Sequence, residues 1–341
     1  MVTIKDIAAE AGVALSTVSK VLNNYPGVSE ETRQKVMSVV TFKQFAPNST
    51  ARRLVQKNSR SLGFIISGIE ESNPNDIMPF QMLRGALTRI QKLRYEVIFY
   101  PITSQMQCRK SYAQFCRENN LAGVIISGLR TDDRYYEQAQ NSDIPCIGID
   151  LDLNGERNHT ISVDNVRAAY SAVEYLIRHG HRCIGAVNGK ENTVVGSERY
   201  TGYCQALRDY QIDLNPEWVV DGGFQEEIAY QKVLMLLEMH PEITALFCSS
   251  DIMAMGVYRA AEKAGRSIPQ SLSVIGFDDF PVASYVSPPL TTVRQDFFRF
   301  GDEAVQLLVR MIGSSETFPH HVFVDYQLII RDSVARLPGQ A

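Results

Sequence analysis

Two short helical patterns separated by a glycine open the chain and constrain its fold more than any other stretch. They lie in TIKDIAAEAGVALSTVSKVLN, residues 3–23. The apolar residues of the first pattern share one helical face: Ile4, Ile7, Ala8 and Ala11. After Gly12, Val18 and Leu22 give a second, shorter apolar face. Two short helices joined by a tight glycine-containing turn predict a helix-turn-helix.

The second of these helices directs small, hydrogen-bonding and cationic side chains away from the apolar face. They are Leu15, Ser16, Ser19 and Lys20. Such a set suits the major groove of duplex DNA, where base edges offer donors and acceptors. Taken alone, the same pattern also fits an ordinary helical hairpin.

The charge of the chain is divided unevenly. The 341 residues carry a net charge of −4, yet residues 1–60 hold nine Lys and Arg against four Asp and Glu. A basic head on an acidic body predicts a polyanionic partner that is confined to the head.

Composition excludes several other classes of protein. A hydrophobic content of 45% is that of a globular protein, and no apolar run reaches the roughly 18 residues of a membrane span. With no apolar export segment at the start, we expect a cytoplasmic protein with no membrane partner. The six cysteines form no CxxC pair and favour buried free thiols over disulfides or metal ligands. His179 and His181 have no third ligand nearby, so we predict no metal and no cofactor.

Two further helical signals complete the head. Ser29, followed by two glutamates, is a suitable cap for a third helix that would run to about Val40. The stretch APNSTARRLV, residues 46–55, then permits one or two helical turns after Pro47. Arg52 beside Leu54 suits a minor groove, with a cation on the phosphates and an apolar wedge between bases. A plain basic linker is the alternative.

From residue 61 onward, short apolar runs alternate with segments of helical period. The runs include LGFIIS from Leu62, AGVIIS from Ala122, CIGAVN from Cys183 and SVIGFD from Ser273. Alternation of strands and helices predicts an α/β body of parallel sheets, which divides near Thr160 into two similar halves. Many of the runs end in a polar residue: Ser67, Ser127, Asp150, Asn188, Ser250 and Asp278. Because ligands bind beyond the carboxyl ends of parallel strands, we expect these groups to face a cleft between the halves. Singly, each of them could merely begin a loop.

The head motifs resemble the DNA-binding head of the LacI/GalR family of bacterial transcriptional regulators. The resemblance is carried by TIKDIAAEAGVALSTVSKVLNN, VSEETRQKV and APNSTARRL, in that order. It implies that a helix-turn-helix spans residues 1–46 and that a hinge helix with its linker spans 47–60. By position, the residues implied to contact operator DNA are Thr3, Leu15, Ser16, Thr17, Ser19, Lys20, Asn23, Asn48, Ala51, Arg52 and Leu54.

Three residues depart from the family pattern. Ala14 stands where the family usually has a capping Ser, and Lys20 stands where it usually has Arg, which has a bidentate fork that Lys lacks. Lys43 occupies a position where an apolar residue is expected. These departures predict a looser head or an altered site preference.

The resemblance continues through the body in VDNVRAAYSAVEYLIRHGHRCIGAVNG, SERYTGY, SSDIMAMGVYRAAEKAG, SLSVIGFDDF and PPLTTVRQDF. These segments resemble the periplasmic-binding-protein-like core of the same regulators. The implied core spans 61–341, with a first lobe at about 61–160 and 291–320 and a second at about 161–290 and 321–341.

Several effector-binding residues follow from the same resemblance. Arg199 and Asp278 match the basic and acidic groups that hold the effector, and Ser250 and Gln295 match polar pocket positions. Phe80 and Phe224 match aromatic pocket positions that could stack on a ring. Asp150, at a strand end, joins them. An interdomain ion pair is the plainer interpretation of Arg199 with Asp278, and burial in a core is that of the two phenylalanines.

Three functions remain open at this point. The favoured one is a homodimeric, DNA-binding repressor that is controlled by a small effector, with a sugar or sugar derivative preferred to a purine or nucleoside. A solute-binding protein without a DNA role fits the body alone. An enzyme is not predicted, because the chain lacks the GxGxxG, GxxxxGK[ST], GxSxG and HExxH motifs.

Overall fold

The computed structural model describes residues 3–22, 26–43, 60–69, 77–314 and 318–337. The chain forms two compact units, Met1–Ser59 and Arg60–Ala341. Five residues that we expect to contact DNA lie outside the described part: Asn23, Asn48, Ala51, Arg52 and Leu54. The predicted hinge helix lies outside it as well.

The first unit contains three helices around a small apolar core. They are α1 (Ile4–Ala11), α2 (Leu15–Leu22) and α3 (Glu30–Phe42). The buried side chains of this core are Ile7, Ala8, Ala11, Val18, Val21 and Val36. The predicted apolar faces are therefore confirmed, except that Val21 is buried on α2 and Leu22 only partly so.

Local chemistry fixes the ends of these helices. Thr3 and Asp6 form a capping box at the start of α1, in which each side chain accepts a hydrogen bond from the other residue's backbone N–H. Gly12 ends α1 with φ of 61°, a left-handed conformation that glycine adopts without strain. Ser29 caps α3 by accepting a hydrogen bond from Thr32 N, as predicted.

The first lobe of the second unit is a six-stranded parallel sheet covered by helices. Its strands lie in the order β11-β5-β4-β3-β1-β2. These are β1 (Ser61–Ser67), β2 (Glu96–Ile102), β3 (Leu121–Ser127), β4 (Cys146–Ile149), β5 (Asn158–Ser162) and β11 (His321–Phe323). The helices in the same part of the chain are α4 (Met78–Ile90), α5 (Ser104–Arg109), α6 (Tyr112–Glu118) and α7 (Arg134–Gln140).

The second lobe repeats this plan. Its strands lie in the order β12-β10-β9-β8-β6-β7, all parallel except β12, which is antiparallel to β10. These are β6 (Ile184–Asn188), β7 (Val219–Asp221), β8 (Ala245–Cys248), β9 (Ser273–Asp278), β10 (Thr291–Gln295) and β12 (Tyr326–Ile329). The accompanying helices are α8 (Asn165–Arg178), α9 (Val194–Asp209), α10 (Glu226–Met239), α11 (Asp251–Lys263) and α12 (Val282–Tyr285), with a 3₁₀ turn at Pro216–Trp218. The predicted α/β class is confirmed.

The chain crosses between the lobes a few residues later than the sequence suggested. We assigned 291–320 to the first lobe, but β10 (Thr291–Gln295) pairs with β9 in the second sheet, and only the following helix α13 (Phe297–Gly313) packs on α4 of the first lobe. Likewise β11, assigned to the second lobe, pairs with β5 in the first sheet. The buried threonines of β10 continue the hydrogen-bonded ladder of the second sheet. The chain therefore leaves the second lobe for the first only at Asp296.

Helices α4 and α13 approach each other at two glycines. A Cβ atom added to Gly85 would collide with the carbonyl oxygen of Phe298, and one added to Gly301 would collide with that of Met82. This contact sets which face of α4 is buried. Across the described ranges, no helix is long and apolar enough to span a membrane.

Candidate functional sites

Helix α2 presents most of its predicted DNA-contacting side chains to solvent. Leu15 is 46% exposed, Ser16 and Lys20 are also exposed, and Thr17 and Ser19 are partly buried. Because Val18 and Val21 turn into the core, α2 offers its outer face to a partner. A recognition helix requires such an exposed outer face above a buried inner one.

Thr3 has a structural role that the resemblance did not indicate. Its hydroxyl donates a hydrogen bond to Asp6 Oδ2 at 2.8 Å and its backbone N–H donates to the same oxygen at 2.7 Å. The hydrogen bonds from Thr3 hold the pKa of Asp6 below its ordinary value. Any phosphate contact by the Thr3 hydroxyl would therefore compete with the cap of α1.

One of the departures from the family pattern, Lys43, has a local explanation, and Ala14 has none. Lys43, at the end of α3, forms an ion pair with Glu10 of α1 at 2.8 Å, so a charged residue is held at this position. Ala14 precedes α2 and accepts a hydrogen bond from Val18 N through its backbone carbonyl, but its methyl side chain cannot cap the helix.

A cavity of about 490 Å³ lies between the two lobes of the second unit. Five predicted strand-end or pocket residues line it: Ser67, Ser127, Asp150, Ser250 and Asp278. Arg199 and Phe224 line it too. At its rim the lobes touch, because Thr131 N donates to Asn192 O at 2.9 Å and Asn192 Nδ2 lies 3.2 Å from Asp132 Oδ1. The predicted cleft is thus present, in a conformation with the lobes in contact.

Arg199 is the most firmly held cation of the cavity wall. It is 4% exposed, and its Nε donates to Asn165 Oδ1 at 2.9 Å while Nη1 donates to the carbonyl of Ser249 at 2.6 Å. The guanidinium stacks on Phe277 at 3.8 Å from the ring centroid. Nη1 also lies 3.6 Å from Asp278 Oδ1, so the ion pair of the plainer interpretation exists. It lies in the cavity wall, where a ligand can use both partners.

The turn after β9 aims Asp278 into the cavity. Gln295 Nε2 donates to Asp278 Oδ1 at 2.7 Å, so Gln295 acts behind the lining rather than in it. The next residue, Asp279, is tied to Arg294 at 2.6 Å and to Arg331 at 2.7 Å. These contacts fix the turn before any ligand arrives.

Asp251 anchors the same turn from below. Its carboxylate accepts hydrogen bonds from Phe280 N at 2.8 Å and from Thr292 Oγ1 at 2.6 Å. Burial, and then the charge of Asp278, raise the pKa of Asp251 well above its ordinary value. Ser250, the residue before Asp251, caps helix α11 by accepting a hydrogen bond from Met253 N at 3.3 Å.

Three cavity residues have unusual backbone conformations. In the described part of the chain, six non-glycine residues have positive φ, and Asp150 (57°), Phe224 (56°) and Asp278 (118°) are among them. Such conformations cost about 1–3 kcal/mol each and cluster at functional sites. Their concentration around one cavity favours a binding role for it.

Two carboxylates of the cavity region titrate near neutral pH. Burial raises the pKa of Asp150 to about 6, against the opposing attraction of Arg199. Burial also raises the pKa of Glu198 to about 7, and Asp150 adds to this rise by repulsion. Asn165, which the sequence analysis did not single out, donates to Glu198 Oε2 at 3.0 Å and accepts from Arg199. It lies in the quoted segment VDNVRAAY, but nothing local distinguishes it from a helix-start residue.

Phe224 forms an aromatic platform on one wall. A Cβ atom added to Gly189 would collide with Cζ and Cε2 of its ring, so the outer end of the ring lies against the residue that follows β6. The residue lines the cavity beside Gly223 and Gln225.

Phe80 does not belong to this site, which corrects the prediction. It is 63% exposed and is absent from the cavity lining, whereas Met78 and Pro79 line it. The buried face of α4 comprises Pro79, Met82, Gly85 and Ala86, and Phe80 points away from that face. Asn188, the remaining strand-end residue, is likewise not part of the lining.

The histidines and cysteines of the described ranges do not group as metal ligands. Within the described residues, no group of three or more His, Cys, Asp or Glu side chains could hold a metal ion. His181 is buried, with Nδ1 2.9 Å from Thr244 Oγ1 and Nε2 3.1 Å from the carbonyl of Ala335. All six cysteines are free, and Cys108 is exposed, contrary to the expected general burial.

A helix-turn-helix unit and a two-lobed, cleft-containing body together define a class of ligand-responsive regulators. The family described as "Bacterial regulatory proteins, lacI family" matches residues 3–48, and a periplasmic binding protein-like domain matches residues 173–334. The chain is 32% identical to the HTH-type transcriptional regulator MalR of Clostridium butyricum, over 97% of this chain and 98% of that protein. It is 31% identical to the HTH-type transcriptional repressor PurR of Yersinia enterocolitica, over 99% and 98%.

A solved structure agrees with these relatives. The Lac repressor dimer bound to operator and the anti-inducer ONPF has a TM-score of 0.85 and 26% identity, covering 98% of this chain and 99% of that one. The chain therefore belongs to the LacI family and is a DNA-binding transcriptional regulator, as its resemblance implied. Its relatives are regulators rather than enzymes.

Proposed function

We propose that this protein is a transcriptional repressor whose affinity for operator DNA is controlled by a sugar-like effector in the interlobe cavity. The single observation that carries the effector proposal is the buried ion pair of Arg199 and Asp278 on the cavity wall, with Asp150 lining the same cavity. Buried, mutually bonded polar groups at a cavity serve a ligand better than they serve stability.

The chemistry of the lining favours a polyhydroxylated ligand. Asp150 and Asp278 offer acceptors, Arg199 offers donors, and the Ser250 hydroxyl can donate while its oxygen accepts from Met253 N. Sugar hydroxyls donate and accept at once and so suit such a mixed set. Phe224 adds one aromatic face, which can pack on a sugar ring.

A purine or nucleoside is the second candidate effector. The similarity to PurR supports it, and Phe224 could stack on a base as well as on a sugar. Against it stands the exposed position of Phe80, which removes the second predicted aromatic wall.

The recognition face of α2 is the proposed DNA contact. Leu15, Ser16 and Lys20 are exposed there, and Thr17, Ser19 and Thr3 would supply contacts at its margins. Asn23, Asn48, Ala51, Arg52 and Leu54 are proposed DNA contacts on the strength of the resemblance alone. The similarity to the operator-bound Lac repressor dimer supports this function. A cytoplasmic location is part of the proposal.

A homodimer is part of the proposal, since two recognition helices about one DNA turn apart would read a near-palindrome. The exposed side chains Phe80 and Leu87, seven residues apart on α4, offer an apolar stripe that a second copy could cover. Effector binding would then favour one lobe arrangement by roughly 1–3 kcal/mol and so alter how the paired heads meet DNA.

The test begins with selection of duplexes from a random DNA pool by the full chain. Fluorescence anisotropy would then compare a selected duplex with a scrambled one, at several salt concentrations and with a panel of sugars, nucleosides and nucleobases. We expect sequence-specific binding that weakens steeply with salt. We also expect binding to respond to at least one sugar that raises the thermal midpoint. Equal affinity for selected and scrambled duplexes would refute the DNA role, and a response to purines alone would refute the sugar.

A further inference from the structure

The interlobe cavity has polar groups at two separate ends. At one end, Asp150 follows β4 and Asp278 is the last residue of β9, beside Arg199. At the other end, Ser104 follows β2, and Arg130 and Asp133 belong to the segment after β3. All six residues line the same cavity.

The order of strands gives the separation of these ends. In the first sheet, β2 and β4 are three steps apart because β1 and β3 lie between them. At about 4.8 Å for each step, the ends of β2 and β4, which precede Ser104 and Asp150, are about 14 Å apart. Arg130 follows the intervening β3, but its guanidinium lies at the β2 end because Nη2 is 2.9 Å from Ser104 Oγ. A six-membered ring with bonds of about 1.5 Å is only about 3 Å across its atoms. With a further bond of about 1.5 Å to a hydroxyl oxygen on each side, the ring spans about 6 Å, so a ring bonded at the first end leaves space for a further unit toward the second.

Arg130 is held in place at the second end. Its Nη2 donates to Ser104 Oγ at 2.9 Å, and that hydroxyl donates to Asp133 Oδ1 at 2.8 Å. Arg130 N also donates to Asp133 Oδ2 at 2.9 Å. Asp133 is 6% exposed. A buried carboxylate that is linked to a guanidinium through a serine hydroxyl is weak support for stability, so its position on a cavity wall calls for another role.

The second end lies where the two lobes meet. Thr131, next to Arg130, bonds to Asn192 of the other lobe, and Lys190 and Thr193 on either side of Asn192 line the cavity. A ligand group at this end would therefore contact both lobes and favour their closure.

Charge decides which kind of group fits there. Arg130 lies 3.5 Å from Asp132 Oδ1 and 3.8 Å from Asp133 Oδ1, so these two carboxylates offset its charge together with that of Lys190, which also lines this end. A phosphate or carboxylate of a ligand would meet these acids, whereas neutral hydroxyl groups can bond to the guanidinium and to the acids alike.

We infer that the effector is a neutral saccharide of at least two units, with one unit at Arg199, Asp150 and Asp278 and the next unit at Arg130. Arg130 is then the residue that determines specificity for the longer ligand. The inference rests on the proposed function, because it assigns a length and charge to the proposed sugar effector.

Calorimetric titration of the full chain tests the inference. The probes are glucose, galactose and mannose, the disaccharides maltose, cellobiose, lactose and melibiose, and glucose 6-phosphate. We expect the best disaccharide to bind at least about tenfold more tightly than its own monosaccharides, through added hydrogen bonds. In Arg130→Gln this advantage should fall to about twofold while the monosaccharide affinity stays the same. Ser104→Ala, which removes only the hydroxyl bonded to Arg130, should give a smaller loss of the same kind.

Arg134→Gln is the matched control, because Arg134 is exposed on α7 outside the cavity lining and the substitution makes the same change of charge. It should leave every affinity unchanged.

Monosaccharides that bind as tightly as any disaccharide, or a panel in which no disaccharide binds, would overturn the two-unit inference. A preference for glucose 6-phosphate would overturn its neutral charge. An equal loss of monosaccharide affinity and disaccharide affinity in Arg130→Gln would overturn the role of Arg130. The sugar-effector proposal fails separately, if nucleobases bind and no saccharide does.

Discussion

The recognition face of α2 and the interlobe cavity are both binding regions, but they are built in opposite ways. On α2, Leu15 is 46% exposed and Lys20 extends into solvent. In the cavity wall, Arg199 is 4% exposed and bonds to Asn165, Ser249 and Asp278. The exposed face of α2 loses its water only when the large DNA duplex binds to it, so its side chains do not have to be fixed in advance. A site for a small ligand must fix its polar groups in advance, because a small ligand has little binding energy with which to order them.

This difference predicts that substitutions in the two regions affect different properties. A residue of the cavity wall should contribute to folding as well as to ligand binding, whereas a residue of the recognition face should contribute to DNA binding alone. The four predictions that follow can break or sharpen this contrast, and they are ordered by expected size.

Arg199→Ala should have the largest effect on stability. It leaves Asp278 and Asn165 buried without their cationic partner, which costs about 3–5 kcal/mol in comparable buried pairs. Urea unfolding followed by circular dichroism should show a lower midpoint for the transition of the second unit, and added saccharides should no longer shift it. The control is Arg134→Ala, which removes an exposed arginine of the second unit. Its urea midpoint should equal that of the original chain. A midpoint unchanged in Arg199→Ala would mean that the cavity wall is not pre-organised as described.

Lys20→Ala should weaken operator binding by about 1–3 kcal/mol, the value of one good base contact. The free energy of unfolding should change by less than about 0.5 kcal/mol, because Lys20 is exposed and away from the apolar core of the first unit. Anisotropy titration with a selected duplex measures the first quantity and thermal unfolding the second. Lys35→Ala, on the exposed side of α3, removes the same charge and should affect binding much less. An equal loss in both variants would show that general charge, rather than the α2 face, holds the DNA.

The sequence predicted the parts of both regions that depend on local pattern. Helical spacing located Val18 in the core and Lys20 outside it, and strand-end positions gave Asp150 and Asp278. Sequence could not predict contacts that depend on distant segments. Phe80 was assigned to the pocket by its motif, but the rotation of α4 is set by Gly85 against Phe298, more than two hundred residues further on.

The same limit applies to the residues that support the site. Asn165 joins Glu198 to Arg199, and Asp279 joins Arg294 to Arg331, yet neither has a local signal that separates it from a capping or turn residue. The lobe crossovers were misplaced by a few residues for a related reason. Whether a strand such as β10 belongs to one sheet or the other depends on its neighbours in space, not on its own alternation.

Asp150→Asn should change how stability depends on pH. The folded pKa of Asp150 is about 6 against an ordinary 3.8, so between these values the folded chain binds more protons than the unfolded chain. Its contribution to the free energy of unfolding therefore falls as the pH rises through this window. Asparagine does not titrate, so the variant should gain about 1 kcal/mol relative to the original chain between pH 4 and 7, after allowance for the part of the side chain that is exposed.

Urea midpoints at a series of pH values measure this difference between the two proteins, which removes the contributions of all other groups. Asp143→Asn, on an exposed loop of the same lobe, makes the same change of residue type and is the control. A constant difference for Asp150→Asn would contradict the assigned burial of this carboxylate.

Asn192→Ala should have the smallest effect, and it examines how the cavity closes. The Asn192 side chain bonds to Asp132 across the rim, while its backbone carbonyl accepts from Thr131 N. Loss of the exposed side-chain bond should cost about 0.5 kcal/mol. The backbone bond should then open more often, and exchange of the Thr131 amide hydrogen should accelerate about twofold. Asn141→Ala, which removes a side-chain bond within one lobe, should leave that amide unaffected.

Because the cavity residues are tied to their own lobes, faster exchange at Thr131 with an unchanged unfolding midpoint would mean that the two lobes separate as rigid bodies. A fall in the unfolding midpoint as large as that of Arg199→Ala would instead show that the rim contributes to folding as the cavity wall does. The rim could then not open independently of the wall.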